Sequence, residues 1–367
     1  MNRSEPSPAC YMKIELSPEF GWPASNHHGR IYGPGSVFQG NIHLYIRRPV
    51  RAHRLRLVFQ GTEAMQPYDV GPGIVRARQT QLFGIQHVLW ENNATLCEAS
   101  HRSFPFTIQM PLVQYPPTIE HELYRCTFKL SAYLDPSLEH KCIPIMTQRP
   151  VAYIPLIETR LLKTPHNAYM RKGPMAVTAM IRSLEYTPGD AIETILHIDS
   201  KVPVMEISLK LYQVARLLLD EKPSITKLVA FRSCQALDRH DPYYTMTLPL
   251  PQDLAPSFDY SRILHLSYRL RVKVTKKSLM PWSSRITFDY PITIGTLGYG
   301  IRRAPDLQFY TDTPFTSEDD DRASILTNRS QDNDLPLPRF LRLIEYEDAL
   351  PLYESIRLPS YDTVIVQ

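Results

Sequence analysis

The sequence has little of what marks secreted proteins, membrane proteins and most enzymes. Its five cysteines (Cys10, Cys97, Cys126, Cys142, Cys234) are odd in number and include no Cys-x-x-Cys pair. A disulfide framework or a zinc site is therefore not expected, and a reducing compartment is. No run approaches the roughly 18 apolar residues that span a bilayer. The first twelve residues carry Pro6, Pro8 and charges where a signal peptide would have an apolar core. Charge of one sign is also missing: the net charge is +4 and the pI near 8.7. That leans weakly towards anionic partners and falls short of a nucleic-acid-binding footprint. Glycine is scarce at 14 residues against 33 prolines.

Catalytic patterns are absent too. Gly295-Thr296-Leu297-Gly298-Tyr299-Gly300 follows a strand-like run, but its glycines are in the wrong order for a phosphate loop and no helical pattern follows. His27-His28 has no Cys, Asp or Glu at ligand spacing. No Gly-x-Ser-x-Gly elbow occurs. No catalytic residue, metal or cofactor is assigned, and the chain is read as a non-enzyme.

What is present is proline among short alternating apolar runs, the mark of an all-β chain, since interior proline breaks helices. Pro34-Gly35 precedes a run in which Ile42, Leu44 and Ile46 share one face. Pro49-Val50 turns the chain, and Leu55, Leu57 and Phe59 then alternate with Arg54, Arg56 and Val58. A shift of 154 positions brings Pro188-Gly189, Leu196-His197-Ile198, Pro203-Val204, and Leu209 with Leu211 onto these landmarks without a gap. A second block, Thr107 to Pro111, Pro117 to Glu120 and Thr127 to Leu130, has its echo about 140 positions on in Met246 to Pro249, Pro256 to Asp259 and Ser267 to Leu270. Two tandem immunoglobulin-like β-sandwiches follow. The expected divisions are an unstructured N-terminus (1–10), a first domain (11–164), a second (165–310) and a largely disordered tail (311–367), polar and acidic through Asn333.

The order of these blocks resembles the arrestin-like family. Leu55 to Gly61 (Leu-x-Leu-x-Phe-x-Gly) is similar to the opening of arrestin-like N domains. Phe104 to Pro111, Pro116 to Glu120 and Tyr124-x-x-x-Phe128-x-Leu130 are similar to that domain's second block. The half ending Tyr290-Pro291-Ile292-Thr293-Ile294 resembles the C domain. The resemblance runs from about residue 11 to 300 and is closest in style to α-arrestins and fungal arrestin-domain proteins. No counterpart of the buried charge cluster of visual and β-arrestins is apparent, so no polar-core switch is carried over.

The tail holds two copies of one pattern, Leu350-Pro351-Leu352-Tyr353 and Leu358-Pro359-Ser360-Tyr361. Leu-Pro-x-Tyr is a relative of Pro-Pro-x-Tyr, the ligand of WW domains. Proline preset in extended geometry lies in an aromatic groove, and the tyrosine fills a second pocket. The resemblance implies recruitment of a HECT-type ubiquitin ligase to the cytoplasmic tails of membrane receptors or transporters, by a cytoplasmic protein drawn to the plasma membrane or endosomes. The alternative is a trafficking scaffold of the retromer-subunit type, which shares the fold and needs no ligase. A tail strand packed on a sandwich is the structural alternative for the same motifs.

Three further sets of candidate residues stand beside these. Leu343, Ile344, Glu345, Tyr346 and Glu347 resemble a clathrin-box peptide, with Tyr346 in place of the usual aliphatic residue. Thr311, Thr313, Thr316 and Ser317 sit beside Glu318 to Asp321 as candidate phosphorylation sites. Arg47, Arg48, Arg51, Arg54 and Arg56, with Lys273, Lys276 and Lys277, are candidate contacts for phosphate or lipid at the membrane periphery. An ordinary solvated edge is the plain alternative for these cations.

Overall fold

The computed structural model describes residues 9–23, 29–71, 74–91, 100–136, 143–200, 204–218, 224–235, 242–276, 285–312 and 335–342. The first half supplies β1 (Cys10–Leu16), β2 (Trp22–Pro23), β3 (Arg30–Tyr32), β4 (Val37–Ile46), β5 (Ala52–Gly71), β6 (Ile74–Glu91), β7 (Ser100–Gln109), β8 (Val113–Gln114), β9 (Ile119–His121), β10 (Tyr124–Pro136) and β11 (Ile145–Tyr153). The second half supplies β12 (His166–Lys172), β13 (Met175–Ile181), β14 (Glu185–Tyr186), β15 (Ala191–Ser200), β16 (Val204–Leu217), β17 (Ile225–Gln235), β18 (Tyr243–Pro249), β19 (Leu264–Lys276) and β20 (Arg285–Ile294). Two short strands, β21 (Gln308–Phe309) and β22 (Arg339–Leu341), come last.

Each half is a sandwich of two sheets. The first packs β1-β4-β7 against β2-β3-β11-β10-β5-β6, with β9 on the side of β10. The second packs β12-β13-β15-β18 against β14-β20-β19-β16-β17. Strict alternation makes them: the burial of β4 alternates through Phe38, Ile42, Leu44 and Ile46, and that of β19 through Leu264, Leu266, Tyr268, Leu270, Val272 and Val274. The expected all-β tandem sandwich is borne out.

The internal repeat is structural. β4 and β15 occupy the same repeat positions from first residue to last. Gly35 and Gly189, the turn glycines before them, both take positive φ, 73° and 86°, a region that costs glycine nothing. Their N–H groups donate to equivalent carbonyls, Pro111 and Pro251, and Met110 and Leu250 return equivalent bonds to Ser36 and Asp190. Tyr32 runs parallel to Tyr153, and its counterpart Tyr186 runs parallel to Ile294. Thr118 Oγ1 accepts from the Tyr153 N–H, and Ser257 Oγ accepts from that of Ile294.

Gly40 is one place where the copies differ. A Cβ there would meet the Glu15 carbonyl at 2.5 Å and the Phe106 ring at 2.6 Å. In the second copy Thr194 fills the position, opposite the flexible Met246. Gly40→Ala is therefore expected to destabilise the first sandwich by about 1–3 kcal/mol, read by urea unfolding.

The second sandwich opens with a strand that carries no sequence period. β12 precedes β13, joined to it along its whole length by backbone pairing. Most of its side chains are exposed, so no apolar alternation announces it. After β20 the chain returns to the first half, where β21 pairs in parallel with β8. Within the segment read as a flexible tail, apolar residues return at Leu335, and β22 adds to the edge of β7. Leu341 is buried there, Phe340 stacks on His87 at 5.1 Å, and Arg339 Nε donates to Gln109 Oε1 at 2.9 Å.

Candidate functional site

The seam between the sandwiches carries the most constrained chemistry. On β5, Leu55, Leu57, Phe59, Gly61, Glu63 and Met65 all point inward, so Glu63 falls in the core phase and is fully buried. Its Oε2 accepts from Ser261 Oγ at 2.7 Å and from Tyr124 OH at 3.0 Å. Ser261 comes from the second half, and its Oγ also accepts from the Ile263 and Leu264 N–H groups. Burial raises the Glu63 carboxyl above the ordinary range, against the opposing pulls of Ser261, Tyr124 and Arg262. Arg262 itself lies over the Tyr310 ring at 4.5 Å. Sequence reasoning missed this carboxyl. The signal was available: a glutamate in phase with five core positions needs partners from elsewhere.

The linker is fixed by its own network. Thr296 and Leu297 donate backbone N–H bonds to the Ile157 carbonyl, and Gly300 donates to that of Thr159. Ile157 N–H donates to Thr296 Oγ1, and Thr159 Oγ1 donates to the Leu297 carbonyl. Gln114 bonds both the N–H and the carbonyl of Leu156. Glu158 accepts from Arg302 Nη1 at 2.8 Å and from the Arg303 N–H at 3.0 Å, and these bonds hold its carboxyl below the usual range. Lys163 lies over the Tyr299 ring at 4.2 Å, and the Tyr299 hydroxyl donates to Asp190 at 2.6 Å.

The predicted arginines fall into two groups. Arg54 and Arg56 stand on the outer face of β5, where both grip Asp135: Arg54 Nε at 2.9 Å and Arg56 Nε at 3.0 Å from the same oxygen. Arg56 also donates to Gln86 and lies over the Tyr133 ring at 4.4 Å. A phosphate arriving there must compete with a nearly buried carboxylate that both guanidiniums already share. Arg47, Arg48 and Arg51 are exposed around the turn after β4, on the other sheet. Arg47 caps the Tyr11 ring at 5.5 Å. That ring begins a stack crossing three strands, Tyr11 on Tyr45 at 4.5 Å and Tyr45 on His101 at 4.4 Å. Lys273 and Lys276 are half-buried on β19. Thr311 is exposed beside β21. Lys277, Thr313, Thr316, Ser317, the Leu343–Glu347 peptide and both Leu-Pro-x-Tyr motifs lie outside the described residues. Among the described residues, no group of three or more His, Cys, Asp or Glu is placed to hold a metal, and no helix is long and apolar enough to cross a membrane.

Two β-sandwiches in tandem, related by an internal repeat and joined by a bonded linker, define the arrestin fold. The family comparison agrees. Residues 171–299 match the family model described as arrestin (or S-antigen), C-terminal domain, consistent with an arrestin-like family for the chain. That span holds the second sandwich from inside β12 to just past β20. No curated protein matches the chain. Arrestin-family proteins are generally non-enzymatic adaptors, and an arrestin domain points to a role in trafficking.

Proposed function

We propose that this protein is a non-enzymatic adaptor of the cytoplasm, drawn to the plasma membrane or endosomes, that links the tails of membrane receptors or transporters to a WW-domain HECT-type ubiquitin ligase and so promotes cargo ubiquitination and endocytosis. The observation that carries the reading is the pair of Leu-Pro-x-Tyr motifs, Leu350-Pro351-Leu352-Tyr353 and Leu358-Pro359-Ser360-Tyr361, on a chain with an arrestin C-terminal domain. β22 supports it as well, because it ties residues 339–341 to the first sandwich and so keeps the motifs close to whatever the sandwiches hold. Two weak sites eight residues apart suit tandem WW domains, where effective concentration multiplies affinity by 10² or more. The Leu343–Glu347 peptide adds a clathrin contact, and phosphorylation of Thr311, Thr313, Thr316 or Ser317 adds negative charge to the same tail.

The test titrates the full chain with a tandem WW protein. Tyr353→Ala and Tyr361→Ala are each expected to weaken binding about tenfold, equivalent to about 1.4 kcal/mol. The double variant is expected to lose it. Wild-type binding no stronger than that of the double variant would remove the ligase link and leave a trafficking scaffold of the retromer-subunit type.

A further inference from the structure

One edge of the second sandwich is left open. In its sheet β12-β13-β15-β18, β12 pairs with β13 on one side and, among the described residues, with no strand on the other. Other edges are covered in part. Along β7 the tail strand β22 adds its backbone, and on β18 the Thr247 carbonyl accepts from Arg232 Nη1 of the facing sheet at 3.0 Å. Native edges are guarded by proline, bulges or charged side chains. β12 contains no proline, and its pairing with β13 runs without a bulge from His166 to Lys172. Its cations, Arg171 and Lys172, stand together at one end.

What β12 exposes at its centre is apolar. His166, Ala168 and Met170 lie opposite Ile181, Ala179 and Val177 of β13, all fully buried, so they belong to the core face. Ala168 packs on that core, but Met170 is 41% exposed. Alternation puts Tyr169 on the outer face, where it is 65% exposed. A core-phase methionine open at a sheet edge lacks the cross-strand neighbour that a further strand would supply.

A second copy of β12 supplies that neighbour. Set antiparallel against itself about a two-fold axis at Tyr169, the strand brings Met170 opposite Ala168, Arg171 opposite Asn167 and Lys172 opposite His166. Apolar meets apolar on the core face, and no lysine or arginine faces another. Centring the pair two residues later, on Arg171, would set that cation against itself. An apolar centre with cations only at one end therefore favours one partner and one register. One patch serving both subunits is the isologous arrangement of two-fold dimers.

We propose that this protein forms a homodimer through β12, each copy adding its edge to the other's so that two four-stranded sheets become one. The interface lies on the second sandwich and is independent of the tail motifs, so it is scored apart from the ligase reading.

Sedimentation velocity of the full chain over a dilution series is expected to show a monomer–dimer equilibrium. Tyr169→Lys and Tyr169→Glu each set like charges opposite one another at the axis, and each is expected to weaken self-association at least about tenfold. An equimolar mixture of the two sets lysine opposite glutamate and is expected to recover the dimer. Tyr243→Lys changes a similarly exposed tyrosine on β18, at the far edge of the same sheet, and is expected to dimerise like wild type. Thermal unfolding of the variants checks that they fold. A wild type that stays monomeric throughout overturns the proposal and leaves the edge for a strand of another protein. It is overturned equally if the charged variants dimerise as wild type does, if their mixture stays monomeric, or if Tyr243→Lys disrupts the dimer as strongly.

Discussion

Glu63→Ala is expected to destabilise the protein by about 3 kcal/mol, whereas Glu63→Gln costs little and changes how stability responds to pH. The alanine variant removes the acceptor for two hydroxyls. Ser261 Oγ and Tyr124 OH, at 2.7 and 3.0 Å from Glu63 Oε2, would stay buried without it. Each stranded donor costs about 1–3 kcal/mol, and the vacated volume adds a cavity term. Glutamine keeps a carbonyl oxygen in the same place and removes the ionisable proton. The sign of the pH effect follows from the raised carboxyl. Because folding favours the protonated form, this group's contribution is fully present below its unfolded value, near 4.3. It is lost as pH rises through the higher folded value. Wild type should therefore lose stability relative to Glu63→Gln between weakly acidic and neutral pH. Urea midpoints of both proteins across that range would show it, and parallel pH profiles would refute it. Arg262 makes the opposing case, since its cation favours the carboxylate. Burial is the larger influence, because Glu63 is fully buried.

Much of this fold is written in local periodicity. Leu55, Leu57 and Phe59 alternate along β5, Pro34-Gly35 and Pro188-Gly189 mark matching turns, and the two repeat blocks align β4 with β15. These signals lie within a few residues of one another, so the chain displays them directly. β12 was hidden for the opposite reason. Its pairing runs through the backbone, and its exposed side chains carry no period. Glu63 was hidden because its meaning depends on Ser261, 198 residues away. The alternation of β5 places it among the core positions, but it does not show which hydroxyls receive it. The basic residues were legible as charge but not as availability. Arg54 and Arg56 share the carboxylate of Asp135, some 80 positions on.

Phe128→Ala should cost about 3–5 kcal/mol, the range for deleting a buried aromatic ring, and should do so in one transition for both sandwiches. Phe128 is almost fully buried at the centre of an aromatic cluster, 4.7 Å from Tyr153, 5.9 Å from Phe83 and 6.2 Å from Tyr115. The cluster does not stop at the first sandwich. Tyr115 meets Tyr310 at 5.9 Å, Tyr124 meets Phe258 at 6.1 Å, and Tyr260 meets Phe309 at 5.4 Å. Ala215, Leu217, Ile263, Leu264 and Leu266 of the second half belong to the same continuous core. By strand register the position equivalent to Glu63 in the second copy is Ala215, paired with Leu266 as Glu63 is with Cys126, so where the first sandwich sends a carboxyl to the seam, the second sends apolar surface. An ordinary pair of domains meets across a modest polar interface and moves freely. Here the loss of one sandwich would expose the base of the other, so the two are expected to unfold together. Scanning calorimetry of wild type and Phe128→Ala is expected to give a single peak that shifts down as one. A variant whose second sandwich melts at the wild-type temperature would show that the seam does not couple them.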